Sequence, residues 1–268
     1  MGRIEERFAH LLQQGEAALI PFITAGDPDL GTTVKILHEL VEAGADLIEL
    51  GIPFSDPMAD GPTIQAASER ALANGATLAG VLDCVRQLRE HSNVPVVLMG
   101  YYNPVLHYGA AQFSHDAAAA GVDGLLLVDL PPEEAGEIQE DLRRSGIALI
   151  TLLAPTTPRE RATKLAAVGE GYLYYVSMTG VTGAKQVDAA GIVDEVEALR
   201  PLAAVPVAVG FGITTPADAA AVADFADGVV VGSALVKIIA EYADSPELLD
   251  QVGGFIRKLK EATRRSSQ

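Results

Sequence analysis

One segment of the sequence, residues 46–65, carries carboxylates in a setting where acid–base chemistry could take place. It reads D-L-I-E-L-G-I-P-F-S-D-P-M-A-D-G-P-T-I-Q. Glu49 stands inside an apolar, strand-like run, so burial should raise the pKa of its carboxyl group and suit it to donating and accepting protons. Asp56 and Asp60 follow in a loop rich in proline and glycine, where turn or helix-cap roles compete with a functional one. Glu49 is therefore the strongest of the three candidates.

Glycine-rich turns follow the last three predicted strands. They are S-M-T-G-V-T-G at 177–183, G-F-G-I-T at 210–214 and G-S-A at 232–234, where a helix begins. Glycine lets backbone N–H groups approach an anion closely, and a helix N-terminus favours negative charge. A single turn of this kind is ordinary. Three of them at consecutive strand ends predict a phosphate site.

Other reactive residue types give weaker signals. The five histidines lack metal-ligand spacing and Cys84 lies on the apolar face of a helical stretch, so we expect no metal site. Tyr174 and Tyr175 should point to opposite faces of their strand, which places one of them in the interior near Glu49. Tyr101 follows the third strand and could line a pocket.

The elements that must position these residues form an alternation of strands and helices. Eight strand-length apolar runs lie at 18–24, 47–50, 94–99, 124–128, 148–152, 172–176, 206–209 and 228–231, as expected for parallel strands covered on both faces. Helical periodicity marks 32–43, 78–90, 133–144, 158–168, 192–199 and 216–225, with Asp29, Thr157 and Thr215 as N-cap candidates. This alternation predicts an α/β fold: one (β/α)₈ TIM-barrel domain spanning 1–268, with an extra amphipathic N-terminal helix at 1–14. A doubly wound open sheet is the runner-up.

Composition excludes several partners. The 268 residues carry a formal charge of −17, with a single cysteine and 49% hydrophobic residues. The negative field disfavours nucleic acids and anionic membranes, and no apolar run approaches the roughly 20 residues needed to cross a bilayer. One cysteine cannot form an intrachain disulfide, which suits a reducing compartment. We therefore expect a cytoplasmic protein without nucleic-acid or membrane partners.

The motifs together resemble the tryptophan synthase alpha chain family. The resemblance is carried by P-F-I-T-A-G-D-P at 21–28, by 49–65, by G-Y-Y-N-P at 100–104, by D-L-P at 129–131, by Y-Y-V-S-M-T-G-V-T-G at 174–183, by G-F-G-I at 210–213 and by G-S-A-L-V at 232–236. These motifs cover nearly the whole chain in the family's order, and the 49–65 block is long and specific.

The resemblance implies a lyase that needs no cofactor and cleaves indole-3-glycerol phosphate to indole and glyceraldehyde 3-phosphate. By position, Glu49 would be the acid/base at indole C3, and Asp60 would face the indole N–H. The implied substrate-binding positions are Phe22 and Ile64 in the indole pocket, Tyr174 as the active-site tyrosine, Thr182 in the closing loop, and Gly183, Gly212, Gly232 and Ser233 at the phosphate. These four would give a phosphate anchor without a charged side chain.

The resemblance also implies a partner, a pyridoxal-phosphate beta chain in an αββα complex that would contact Asp56 and Pro57. Other functions remain open from the residues alone. They are a stand-alone indole-releasing lyase, a non-catalytic regulatory subunit that keeps the fold, and a different phosphate-binding barrel such as an indole-glycerol-phosphate synthase or a sugar-phosphate isomerase. Barrels of the last kind usually place a lysine or cysteine at a strand end, whereas Cys84 falls on a predicted helix.

Overall fold

A computed structural model describes residues 2–176, 189–210 and 212–264. Within these ranges, nine parallel strands form one sheet in the order β5-β4-β3-β2-β1-β9-β8-β7-β6. The strands are β1 Ala18–Thr24, β2 Ile48–Gly51, β3 Val96–Gly100, β4 Gly124–Leu127, β5 Ala148–Leu149, β6 Thr151–Leu153, β7 Leu173–Val176, β8 Val207–Gly210 and β9 Gly228–Val231.

The predicted fifth strand, 148–152, is divided at Ile150 into β5 and β6. β5 pairs with β4 and β6 pairs with β7, so consecutive pieces of chain occupy the two ends of the strand order. The backbone N–H of Ile150 still donates to the carbonyl oxygen of Leu125 over 2.8 Å. The sheet thus closes into the predicted barrel, with eight strand positions.

The described residues form twelve α-helices on the outside and at the ends of the barrel. They are α1 Arg3–Gln14, α2 Leu30–Glu42, α3 Pro62–Ala73, α4 Leu78–Arg89, α5 Tyr102–Tyr108, α6 Ala110–Ala120, α7 Gly136–Arg144, α8 Arg159–Ala167, α9 Ala189–Leu199, α10 Pro216–Ala223, α11 Ser233–Glu241 and α12 Leu248–Ala262. Within the same ranges, no helix combines the length and the apolarity that a membrane crossing requires.

Two of the three predicted N-caps are confirmed. The side chain of Asp29 accepts from the N–H of Thr32, and Thr215 forms a capping box with Asp218 at the start of α10. The prediction for Thr157 is wrong, because α8 begins after Pro158 and the Thr157 hydroxyl instead accepts from the N–H of Ala154. That hydroxyl fixes the preceding turn rather than the helix end.

The apolar core has two layers. The larger cluster fills the space between the outer faces of the strands and the surrounding helices. The smaller one fills the barrel interior, where Ile4, Phe8 and Leu11 of α1 insert from the N-terminal end of the strands. The ring centroids of Phe8 and Tyr172 lie 5.9 Å apart, so the predicted N-terminal helix forms the floor of the barrel.

Acidic residues at the start of alternate strand positions tie this end together. Asp46 is fully buried and accepts from the backbone N–H of Leu19 over 2.6 Å, while Arg7 and Lys260 pair with the same carboxylate. Equivalent carboxylates each accept a backbone N–H from the preceding strand position and pair with an arginine; they are Asp123, Glu170 and Asp227. The pattern links each odd-numbered strand position to the following even-numbered one.

Candidate active site

A cavity of about 480 Å³ opens at the C-terminal ends of the strands. This is the end of the barrel at which TIM-barrel enzymes place their chemistry. Its walls are formed by side chains of β1, β3, β7 and β9, by the loops after β2 and β8, and by the start of α11. Its lining includes Phe22, Asp60, Ile64, Met99, Tyr174, Gly212, Thr214, Gly232, Ser233, Lys237 and Phe255.

Glu49 lies at the centre of β2, beside Phe22 of β1 in the sheet register, with no solvent exposure. Burial raises the pKa of its carboxyl group to about 8, and the hydrogen bond from the Tyr172 hydroxyl to Oε1, 2.6 Å long, opposes that rise. The second oxygen, Oε2, is buried without a hydrogen-bond partner among the described residues. At neutral pH the group is therefore mostly protonated and can act as a general acid.

The carboxyl group of Glu49 does not itself line the cavity. It is turned toward Tyr172, a member of the interior cluster, while its neighbours Phe22 and Tyr174 reach the cavity wall. The acid is therefore held just beneath the cavity, shielded from water by apolar side chains.

Asp60 occupies the loop between β2 and α3 and does line the cavity. Partial burial raises the pKa of its carboxyl group, and the hydrogen bond from the Tyr101 hydroxyl to Oδ2, 3.1 Å long, works against that shift. The Tyr101 hydroxyl also accepts from the N–H of Ala59 over 2.9 Å, and the Tyr101 ring lies 5.1 Å from the Phe54 ring between centroids, tilted by 32°. Tyr101 therefore sets the position of the loop that carries Asp60.

The predicted phosphate wall is only partly described. Gly212 follows β8, Gly232 is the N-cap of α11 and Ser233 is its first residue, and all three line the cavity. Gly212 has a φ of +37°, which a residue with a side chain rarely adopts. The helix start brings unpaired N–H groups and the positive end of its dipole to the cavity.

The other sequence-predicted residues divide into three groups. Phe22, Ile64 and Tyr174 line the same cavity as Asp60, whereas Tyr175 points outward and donates to Glu195. Asp56 and Pro57 lie on the outer part of the loop after β2 and do not line the cavity; Asp56 is exposed. Thr182 and Gly183 lie outside the described residues.

Sequence reasoning missed two functional candidates. Tyr172 shares the face of Tyr174, two residues away on one strand, and that spacing was the available signal for its contact with Glu49. Lys237 lies four residues after Ser233, hence on the same face of α11, and places a charged side chain in a wall predicted to be uncharged. The parts of the chain that the structure describes contain no group of three or more potential metal ligands.

Comparisons with known proteins agree with this geometry. The model of the tryptophan synthase alpha chain family matches residues 8–264. The alpha chain of Geobacter sp. is 54% identical over 268 residues, with all of both chains covered, and that of Xanthomonas axonopodis pv. citri is 55% identical over 264 residues, with 98% of each covered.

Solved structures give the same result. The alpha subunit of tryptophan synthase from Legionella pneumophila superposes with a TM-score of 0.91 at 43% identity, covering 98% of each chain. An aminoacrylate-bound tryptophan synthase from M. tuberculosis superposes with a TM-score of 0.88 at 34% identity, covering 98% of this chain and 100% of that one. The chain therefore belongs to the tryptophan synthase alpha chain family, the carbon–carbon lyases that cleave indole-3-glycerol phosphate in tryptophan biosynthesis.

Proposed function

We propose that Glu49 and Asp60 divide the acid–base work of indole-3-glycerol phosphate cleavage in this chain. The observation that carries the proposal is the contrast between the two carboxyl groups. Glu49 is fully buried and has a pKa of about 8, while Asp60 stands in the cavity wall with a hydrogen bond from Tyr101. Two carboxyl groups in such different environments can play opposite roles in one reaction.

In this mechanism the indole ring lies between Phe22 and Ile64, with its N–H toward the Asp60 carboxylate. Glu49 gives its proton to ring carbon C3, and the positive charge that develops on the ring is stabilised by Asp60. The C–C bond to the glyceryl chain then breaks as the glyceryl hydroxyl loses its proton to the carboxylate that Glu49 has become. The products are neutral indole and an aldehyde, and Glu49 is protonated again.

The proposal requires a local movement of Glu49. Its carboxyl group is bonded to Tyr172 beneath the cavity and has to rotate about its side-chain torsions to reach a ring carbon. Oε2, which has no partner among the described residues, is the oxygen that gains a new contact in that position. Substrate binding would compensate for the lost Tyr172 hydrogen bond.

Indole release by purified Glu49→Gln and Asp60→Asn variants tests the assignment. We expect Glu49→Gln to abolish release and Asp60→Asn to lower it by a factor of about 10²–10³, because each variant removes one ionisable group while keeping the shape. Asp56→Asn, an exposed carboxylate on the same loop that does not line the cavity, is the matched control for the isolated chain. An active Glu49→Gln enzyme would contradict the proposal, and an inactive wild-type chain, even with a beta chain present, would favour a regulatory subunit.

We also propose that the loop after β2 contacts a tryptophan synthase beta chain within an αββα complex in the cytoplasm. Support comes from the exposure of this loop, where Asp56 is exposed and the neighbouring Met58 is 91% exposed. An exposed methionine beside a carboxylate is suited to an interface with mixed apolar and charged contacts.

The partner proposal can be tested by fluorescence because this chain contains no tryptophan. Titrating it into a tryptophan-containing beta chain should change the beta-chain emission at saturation. The double variant Asp56→Ala, Met58→Ala should weaken that titration while leaving indole release by the isolated chain unchanged. Equal titration curves for the wild type and the double variant would remove this loop from the interface.

A further inference from the structure

The cavity is lined by a positively charged side chain, that of Lys237, which has no role in the proposed acid–base steps. Among the described residues that line it, the only charged side chains are those of Asp60 and Lys237. Asp60 stands on the wall made by the loop after β2, and Lys237 on the wall made by α11. The cavity therefore presents one negative and one positive side chain on different walls, in a chain whose formal charge is −17.

The position of Lys237 on α11 directs its side chain toward the start of that helix. It lies four residues after Ser233, so both residues occupy one face, together with Ala234 and Ile238, which also line the cavity. Side chains on an α-helix lean toward its N-terminus and cover the turn before their own Cα. This lean directs the stem of Lys237, an exposed residue, toward the turn that contains Gly232 and Ser233.

Lys237 also lacks any ion-pair partner within the described ranges. The ion pairs there engage most of the other basic residues, such as Lys260 with Asp46 and Arg161 with Glu133. A cation near a helix N-terminus has an unfavourable interaction with the helix dipole, and an anion bound between them relieves it. This part of the cavity wall is therefore suited to a negatively charged ligand.

On these grounds we infer that Lys237 supplies the positive charge of the phosphate site and selects for anionic substrates. Its ammonium group would neutralise the phosphoryl group of the substrate, while the backbone N–H groups at Gly232 and Ser233 fix the orientation of that group. Lysine acts on phosphate as a point charge, so it adds attraction without fixing the rotation of the phosphoryl group. With Asp60 on another wall, this charge also sets the direction of the substrate, with the phosphoryl group on α11 and the ring toward the carboxylate.

The inference rests on the proposed function and is tested in the reverse reaction, in which indole and glyceraldehyde 3-phosphate combine. The variants are Lys237→Met, which keeps the stem length without charge, and Lys237→Arg, which keeps the charge. Lys258→Met on α12 is the matched control, since Lys258 is exposed and does not line the cavity.

We expect Lys237→Met to raise the KM for glyceraldehyde 3-phosphate about tenfold, the size of one charge-assisted contact at a partly open site. The KM for indole should stay within twofold, and kcat should change little, because Lys237 does not touch the reacting atoms. Lys237→Arg and Lys258→Met should resemble the wild type. The KM for glyceraldehyde 3-phosphate should also depend less on salt in Lys237→Met, because one screened attraction is gone.

A KM for glyceraldehyde 3-phosphate within twofold of the wild type in Lys237→Met would overturn the inference. A parallel rise in both KM values would also overturn it, since that indicates a distorted cavity, and so would an arginine variant as weak as the methionine one. Binding of glycerol 3-phosphate, measured by calorimetry against glycerol, gives a readout without catalysis. The two proposals can fail separately. If the wild type binds glycerol 3-phosphate but does not condense indole with glyceraldehyde 3-phosphate, the proposed function fails. If Lys237→Met has then lost the binding of glycerol 3-phosphate, the role of the Lys237 charge still stands.

Discussion

The raised pKa of Glu49 predicts a specific dependence of stability on pH. Burial moves the pKa of this carboxyl group from its ordinary value of 4.5 to about 8 in the folded chain. Below pH 4.5 the carboxyl group is protonated in both the folded and the unfolded chain, so its titration does not change the free energy of unfolding. Between pH 4.5 and 8 only the folded chain holds it, so the free energy of unfolding falls as the pH rises, and above pH 8 the loss is complete.

Glu49→Gln removes this dependence because glutamine is neutral throughout. From the two pKa values, the stability of the wild type relative to Glu49→Gln should fall by about 4 kcal/mol between pH 5 and pH 9. Comparing two variants at two pH values cancels the contributions of every other carboxylate and the constant difference between acid and amide.

Urea unfolding at pH 5, 7 and 9 measures these differences through linear extrapolation. Glu241→Gln, which removes an exposed carboxylate on α11, is the control and should run parallel to the wild type. If the wild type and Glu49→Gln differed by a constant amount, within about 1 kcal/mol across this range, then Glu49 would not be protonated in the folded chain and the general-acid assignment would lose its basis.

Three further outcomes follow from individual contacts. Asp46→Ala should lower the free energy of unfolding by about 3 kcal/mol in urea titrations, because it leaves the buried N–H of Leu19 and two cations without their carboxylate. Gly210→Ala should reduce kcat for indole release at least tenfold without unfolding the chain by circular dichroism, since a Cβ at this position would fall on the Tyr174 hydroxyl. Tyr101→Phe should lower kcat less than Asp60→Asn does, because it removes a positioning hydrogen bond and keeps the carboxylate; equal losses would contradict that order.

The strand positions could be predicted because each parallel strand is buried on both faces and therefore appears as an apolar run. Glu49 was identifiable for the same reason, as the one carboxylate inside such a run. The division of the fifth strand at Ile150 could not be predicted from the sequence, because an isoleucine is equally suitable inside a strand and at its interruption. Local composition specifies that a strand exists, while its hydrogen-bond partners on either side decide where it is broken.

The site was only partly predictable because its decisive contacts join distant segments. The hydrogen bond between Tyr101 and Asp60 spans 41 residues and that between Tyr172 and Glu49 spans 123. No periodicity sets such pairs; the closure of the barrel does. The Tyr172 contact could have been anticipated from its position two residues before Tyr174 on the same strand. The place of Lys237 could have been anticipated too, because it lies one helical turn after Ser233 in the helix predicted to begin at 232–234.

The N-terminal helix, which lies outside the repeated strand–helix pattern, has an electrical consequence. Phe8 of α1 packs on Tyr172, and Tyr172 holds the carboxyl group of Glu49, so three side chains form a column from the barrel floor to the acid. By excluding water from one end of the barrel, α1 keeps the dielectric constant around Glu49 low. Without it, water could enter from below, the cost of charging Glu49 would fall, and a chain with every cavity residue in place would lose the proton that its chemistry requires at neutral pH.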